Sequence, residues 1–243
     1  MDAMKILTDD NELSLNNAPL LGESGQGKGN RKLLLPEKSE TSHEVNRYLK
    51  GRGIDSEIIK ACIDEGLLYE SLSYHNCIFV GFDELGNAAY AFYRATTGER
   101  LMGEAAGSDK SYSFRIDRAG ITLHVFESAI DLLSYATILK MRTGEWRAEP
   151  MLSLGGVYAP STNNKQTKLP IALEKMTQNQ TQINTIALHL DNDYVGRTAA
   201  ISIAEQLGDR YVIRDEPPPY GKDCNDFLLH MISQKHSRQM GRE

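Results

Sequence analysis

Two apolar runs in this 243-residue chain end on carboxylates and pass at once into a helical pattern, which restricts the fold more than any other feature. ITLHVFE, residues 121–127, ends at Glu127; NTIALHLDND, residues 184–193, ends at Asp191 and Asp193. Runs that are apolar at nearly every position suit strands covered on both faces, as in a parallel sheet. The residues after each run read as helix. Ser128 to Met141 is apolar on almost every side, and Gly196 to Leu207 aligns Ala199, Ala200, Ile203 and Leu207 on one stripe before stopping at Gly208. PMLSLGG near residue 152 and YVIRDE near residue 213 add two further strands. This alternation predicts an α/β unit with a four-stranded parallel sheet and flanking helices. Parallel strands present their carboxyl ends along one edge, so Glu127 and Asp191 are expected to be neighbours in space.

Three further acidic residues belong to the same set: Asp131, four residues after Glu127, and the pair Asp223 and Asp226 in GKDCNDFL. Carboxylates gathered this closely repel one another, and magnesium relieves the repulsion through oxygen ligands while keeping waters that a phosphate can replace. Each acid also has a plainer reading. Ser128 and Asp131 have the spacing of a capping box. Asp191 to Asp193 ahead of Gly196 suits a solvated turn. Asp223 and Asp226 open the helical stretch DFLLHMIS, where the helix dipole favours negative charge. Acids ending two different strands are what turn separate caps into a candidate metal site.

Glu127, followed by Asp191-x-Asp193 at the end of a later strand, resembles the signature of the Toprim domain, the metal-binding catalytic unit of bacterial primases, topoisomerases and some small nucleases. The Glu-x-x-x-Asp spacing of Glu127 and Asp131 and the later acidic pair look most like the primase branch. There the last pair stands one residue apart, whereas Asp223 and Asp226 stand two apart; GKDCNDFL is similar to a variant in primase-like proteins of plasmids and conjugative elements. RYLKGRGID, NCIFVGFDELGNAAYAFYR and GSDKSYSF resemble an uncharacterised domain commonly fused ahead of Toprim in those proteins. The resemblance implies a Toprim-like sheet preceded by a small α+β domain. It implies Asp191 and Asp193 as metal ligands with Asp131, Asp223 and Asp226 beside them, Glu127 as ligand or general base, and magnesium, or manganese in its place, as cofactor. The implied activity is phosphoryl transfer on nucleic acid, with primase-like nucleotide polymerisation in plasmid or mobile-element replication or transfer placed first. A nuclease with the same site and a non-catalytic nucleic-acid or nucleotide-binding module remain open. The implied partners are single-stranded DNA, nucleotides, and other replication or conjugation proteins. A small-molecule phosphatase using these acids has no motif to specify its substrate, and a topoisomerase would need a strand-passing region for which there is no room.

The expected organisation is a flexible arm at 1–32, the small α+β domain at 33–118, the Toprim-like catalytic domain at 119–231 and a polar tail at 232–243. GESGQGKG has Walker spacing, but Gly29 stands where Ser or Thr is required and Pro36 interrupts the following helix, so it is not read as a phosphate loop. HEVNRYLKGRGIDSEIIKACIDEGLLYES predicts two short helices with Val45, Tyr48, Leu49, Ile58, Ile59 and Ile63 facing inward. CIFVGFDELGNAAYAFYRAT predicts a hairpin. Lys110, Tyr112 and Arg115, just before the first parallel strand, are candidates for phosphate contact and base stacking. Arg197 at a helix start and Lys222 beside Asp223 are candidates for anion contact. His124 and His189 lie within apolar strands and read as core histidines.

The chain carries 27 basic and 33 acidic side chains, a net charge of −6, and neither half is basic. This excludes a strong, independent DNA binder and predicts weak, salt-sensitive binding. Cys62, Cys77 and Cys224 are too scattered for a disulfide framework or a zinc site, so the zinc module of full bacterial primases is expected to be absent or to belong to a longer protein. Cys224 reads as a spacer, having no adjacent base to activate it. No apolar stretch approaches the roughly 20 residues of a membrane span, and the start lacks the pattern of a signal peptide. No membrane association and a cytoplasmic location are expected.

Overall fold

The computed structural model describes residues 32–98, 101–157 and 168–240. The arm expected at 1–32, with its GESGQGKG segment, lies outside these residues except for Lys32. The first elements are helices α1 (His43–Gly51) and α2 (Ser56–Asp64), then strands β1 (Leu68–Glu70), β2 (Cys77–Phe82), β3 (Ala88–Arg94) and β4 (Met102–Glu104). The strands form an antiparallel sheet in the order β1-β2-β3-β4. The central hairpin is the one expected from sequence. β1 and β4, at three residues each, are too short for their alternation to be read.

Local chemistry explains these elements. Asp55 accepts a hydrogen bond from the Glu57 amide at 2.8 Å and so caps α2. Val45, Leu49, Ile58 and Ile59 are fully buried, with Tyr48 and Ile63 partly buried against the same core. β2 turns Cys77 and Phe79 into that core and Ile78 and Val80 into a second one with Tyr69 and Ala91, the period-two pattern of a sheet covered on both faces. Gly81, the penultimate residue of this strand, sits where a Cβ would lie 1.6 Å from the Tyr112 carbonyl oxygen, so only glycine permits that approach.

The second part contains β5 (Arg115–Ile116), β6 (Thr122–Phe126), α3 (Ala129–Thr143), β7 (Met151–Ser153), α4 (Ile171–Asn179), β8 (Thr185–His189), α5 (Tyr194–Leu207), β9 (Val212–Asp215) and α6 (Cys224–Met240). The sheet order is β5-β7-β6-β8-β9. β7, β6, β8 and β9 run parallel, as the strand–helix alternation implies, and the two-residue β5 adds a fifth, antiparallel strand at one edge. The fold is thus α/β, a mostly parallel mixed sheet preceded by a small antiparallel-sheet unit.

Helices cover both faces of the mixed sheet. α4 and α5 bury Leu173, Met176, Ala199, Ala200, Ile203 and Leu207 against Leu123, Val125, Ile186 and Leu188. On the opposite face α3 and α6 share one core with α1, α2, Cys77 and Phe79, through Leu132, Leu133, Ala136 and Leu228. This sharing explains why α3 is apolar all round: it is covered by the sheet beneath and by helices above. α6 continues through the polar residues 232–240, which were expected to be a tail. Among the described residues no helix is long and apolar enough to cross a membrane.

The start of α1 depends on a buried acid. Glu70, 1% exposed, accepts the Glu44 and Val45 amides through Oε2 at 2.9 and 3.1 Å, and its Oε1 lies 2.7 Å from His75 Nδ1. Glu70→Ala strands both amides in the core and is expected to cost about 2–3 kcal/mol, read as a lower urea midpoint with an unchanged slope. A wild-type midpoint would remove this contact from the account of α1.

Candidate metal centre

The carboxyl edge of the mixed sheet gathers three helix starts. α3 begins after Glu127, α5 after Asp193 and α6 after Asp223. Each start is bound by a side chain. The Ser128 hydroxyl accepts the Asp131 amide at 3.2 Å and donates to Asp131 Oδ2 at 2.5 Å. Asp193 Oδ1 accepts the Gly196 amide at 2.9 Å. Asp223 Oδ1 accepts the Asp226 amide at 2.7 Å, while Asp226 Oδ2 accepts the Lys222 amide at 3.0 Å. The helix-start spacing of Ser128 and Asp131, the turn at Asp191 to Asp193 and the acids opening α6 are thus all present, and these local roles do not exhaust the acids. A cap engages one carboxylate oxygen, and Asp193 turns its other oxygen toward Lys222.

Lys222 joins the two loops. Its Nζ lies 3.1 Å from both Asp191 Oδ2 and Asp193 Oδ2, and its carbonyl accepts the Asn192 amide at 2.7 Å. The β8–α5 turn that sets this geometry requires Gly196, because a Cβ there would sit 2.1 Å from the Asp191 carbonyl oxygen.

Burial and mutual repulsion dominate the electrostatics. Glu127 is pushed up to about 7, first by burial and then by Asp191, Asp193 and Asp131, with Lys222 opposing. Asp131, 5% exposed, is also pushed up to about 7 by burial, with Asp223 and Asp191 adding to the shift and the Ser128 hydroxyl countering it. Asp191 is raised by burial despite its ion pair, whereas the more exposed Asp193 is lowered, chiefly by the Gly196 amide and then by Lys222. Lys222 itself is raised by Asp193 and Asp191. Both partners of this ion pair are thus raised, Asp191 because it bears the desolvation and exposed Lys222 because it feels mainly the attraction.

Among the described residues no three carboxylate, imidazole or thiol groups already form a closed set of ion ligands. The cation that spans Asp191 and Asp193 in this structure is the Lys222 ammonium. The donors nonetheless fit a hard divalent ion. They are all oxygens, two of them already share one positive charge, and Glu127 is held toward its protonated form by burial and then by negative neighbours that an ion would neutralise. Asp191, Asp193 and Glu127 are the residues that could hold the ion, with Asp131 and Asp223 contributing charge behind them.

The remaining candidates divide by location. Lys110 Nζ donates to the Gly155 carbonyl at 2.9 Å, next to Gly156, whose amide donates to the Glu127 carbonyl. Tyr112 and Arg115 are engaged at the outer edge. The Tyr112 hydroxyl donates to Glu84 at 2.6 Å, and Arg115 donates to Asp117 at 2.9 Å and to the Phe82 carbonyl at 2.7 Å. Arg197 donates to the Leu190 and Asp191 carbonyls and to Asp215 at 2.6 Å, fastening the end of β8 to β9. His124 and His189 are core histidines beneath the site, their ring nitrogens 2.8 Å apart, lowered by burial to about 4 and about 3.

Sequence reasoning missed Asn225, which is 2% exposed. Its Nδ2 donates to the Arg52 carbonyl at 2.8 Å and to the Ser134 hydroxyl at 3.0 Å, its Oδ1 accepts from Arg52 at 3.0 Å, and its backbone amide serves Asp131. Its one sequence signal, a polar residue between Cys224 and an acid, looks the same as a loop asparagine.

A pH dependence follows from these shifts. Raised carboxyls bind more protons in the folded than in the unfolded state between their ordinary range near 4 and about 7, so folding stability falls as pH rises through that window. In a chelator the thermal midpoint is expected to rise on acidification from about pH 8 to about pH 5.5, and the rise should shrink in Glu127→Gln/Asp131→Asn. An equal slope in the double variant would contradict the assignment.

Comparison with known proteins places this geometry. The model of a Toprim-like family matches residues 124–228, and that of a protein of unknown function, DUF3991, matches residues 47–119. The primase fragment of the bacteriophage T7 primase–helicase is 18% identical, with 90% of this chain and 83% of that chain covered at a TM-score of 0.55. The DnaG catalytic core is 16% identical, with 83% and 74% covered at 0.50, and the E. coli primase catalytic core is 17% identical, with 79% and 70% covered at 0.50. At these identities the likeness is one of fold. A search of curated proteins finds no match. The chain thus carries a Toprim-like domain at residues 124–228, preceded by a DUF3991 domain at residues 47–119.

Proposed function

We propose that this chain is a magnesium-dependent, primase-like enzyme that polymerises nucleotides on single-stranded DNA. The observation that carries this reading is the convergence of Glu127, Asp191 and Asp193 on one sheet edge with Lys222 between the aspartates. Magnesium bound there supplies positive charge to phosphate oxygens and lowers the pKa of a coordinated hydroxyl. Asp191 and Asp193 would be its ligands. Glu127, half-buried at the same edge, would be a further ligand or the base that takes the proton from the attacking hydroxyl. Lys222, on a flexible and largely exposed stem, is suited to turn from the carboxylates to an incoming phosphate.

The primase-like fold supports polymerisation over strand cleavage, although the same carboxylates could serve either. The net charge of −6 supports weak template binding, so partner replication or conjugation proteins would hold the strand, in the cytoplasm and in the service of a plasmid or other mobile element.

The test is incubation with magnesium or manganese, single-stranded DNA and nucleotides, with Asp191→Asn alongside. New short products are the expected result. Shortened template would indicate a nuclease, and a mobility shift without turnover a binding module. Glu127→Gln is expected to lower turnover at least about 100-fold with the fold intact by circular dichroism, and wild-type turnover in that variant would end the proposal.

A further inference from the structure

Two exposed tyrosines stand in sequence beside Asp193 and Lys222, the residues that join the loops of the carboxylate site. Tyr194 follows Asp193 as the first residue of α5, and its ring is 79% exposed. Its backbone is fixed by the Asp193 cap and by the Thr198 hydroxyl, which donates to the Tyr194 carbonyl at 2.7 Å. Tyr220 stands two residues before Lys222 and is 53% exposed. Pro217, Pro218 and Pro219 precede it, a run whose fixed φ angles stiffen the approach, and Pro218 is buried. One face of the Tyr220 ring stacks on His230 of α6, with centroids 3.8 Å apart and planes 18° apart. The bond from the Asn192 amide to the Lys222 carbonyl, with the Lys222–Asp193 ion pair, holds the two loops together. The two exposed tyrosines therefore stand on the two joined loops that carry Asp193 and Lys222.

We propose that Tyr194 and Tyr220 form a stacking platform for unpaired bases of a single DNA strand whose backbone passes the carboxylate edge. The proposal deepens the nucleic-acid reading and rests on it. An aromatic ring offers a π face that any base can use, and a ring already held by its backbone loses little entropy when a base settles on it. The platform also accounts for binding by a chain of net charge −6: stacking adds affinity without adding positive charge. Tyr112, the aromatic residue that sequence reading nominated for this role, has its hydroxyl bound to Glu84 and Lys175 over its ring at 5.3 Å.

Fluorescence anisotropy with a labelled oligothymidylate, in calcium to suppress turnover, tests the platform. Tyr194→Ala and Tyr220→Ala are each expected to weaken binding about tenfold, while Tyr194→Phe and Tyr220→Phe bind as the wild type does. The slope of affinity against salt should not change, because no charge is lost. An abasic strand of the same length should bind all forms with one, lower affinity, and free nucleotide should bind the alanine variants as tightly as the wild type. Unchanged oligothymidylate affinity in both alanine variants overturns the platform alone, and a loss confined to free nucleotide overturns its assignment to a strand. Absence of any binding by the wild type overturns the platform and the nucleic-acid reading together.

Discussion

Mutual repulsion among carboxylates held at one sheet edge is the constraint around which this structure is arranged. Glu127, Asp131, Asp191, Asp193 and Asp223 lie close enough to shift one another, and two of them are buried below one-tenth exposure. A cluster of that kind persists only when positive charge is fixed nearby. The fold supplies it from three helix N-termini, whose first-turn amides are bound by Ser128, Asp193 and Asp223, and from the Lys222 ammonium. The same groups thus serve the helices as caps and the site as counter-charge. What they leave unsatisfied, above all at Glu127, is what a divalent ion would take up.

The small antiparallel unit is not a passive addition to this arrangement. Its helices share a core with α3 and α6, the two helices whose starts carry Asp131 and Asp226, and Arg52 at the end of α1 is bonded through Asn225 to Ser134. The position of the third acidic loop is therefore set from both parts of the chain. This gives a physical reason for the two sequence domains to occur in tandem: the first completes the hydrophobic cover of α3 and pins the turn that carries Asp223.

Much of this was legible in the sequence because it rests on local pattern. Apolar runs ending in acids announced the parallel strands, and the stripe of Ala199, Ala200, Ile203 and Leu207 announced a helix whose four residues are all buried. The helices α1 and α2 and the β2–β3 hairpin were legible for the same reason. The short strands β1, β4 and β5 were not, since they are defined by their pairing partners and carry too few residues for a period, whereas the three-residue β7 was legible in its apolar run PMLSLGG. The site was legible in its acids and opaque in its basic and polar members. That Arg115 and Tyr112 turn to Asp117 and Glu84, that Lys222 spans two aspartates and that Asn225 is buried are facts of tertiary contact with no imprint on spacing. Glu70 is a further case, an acid with no mark in the sequence pattern that binds the start of a helix 25 residues earlier.

The central claim is that these acids form one divalent-ion site. Titration of manganese followed by electron paramagnetic resonance tests it most directly, because bound ion loses the sharp signal of the free aqua ion. The account predicts loss of that signal in the wild type and its retention in Asp191→Asn and in Glu127→Gln. Binding that is identical in all three proteins, or absent from the wild type, would contradict it.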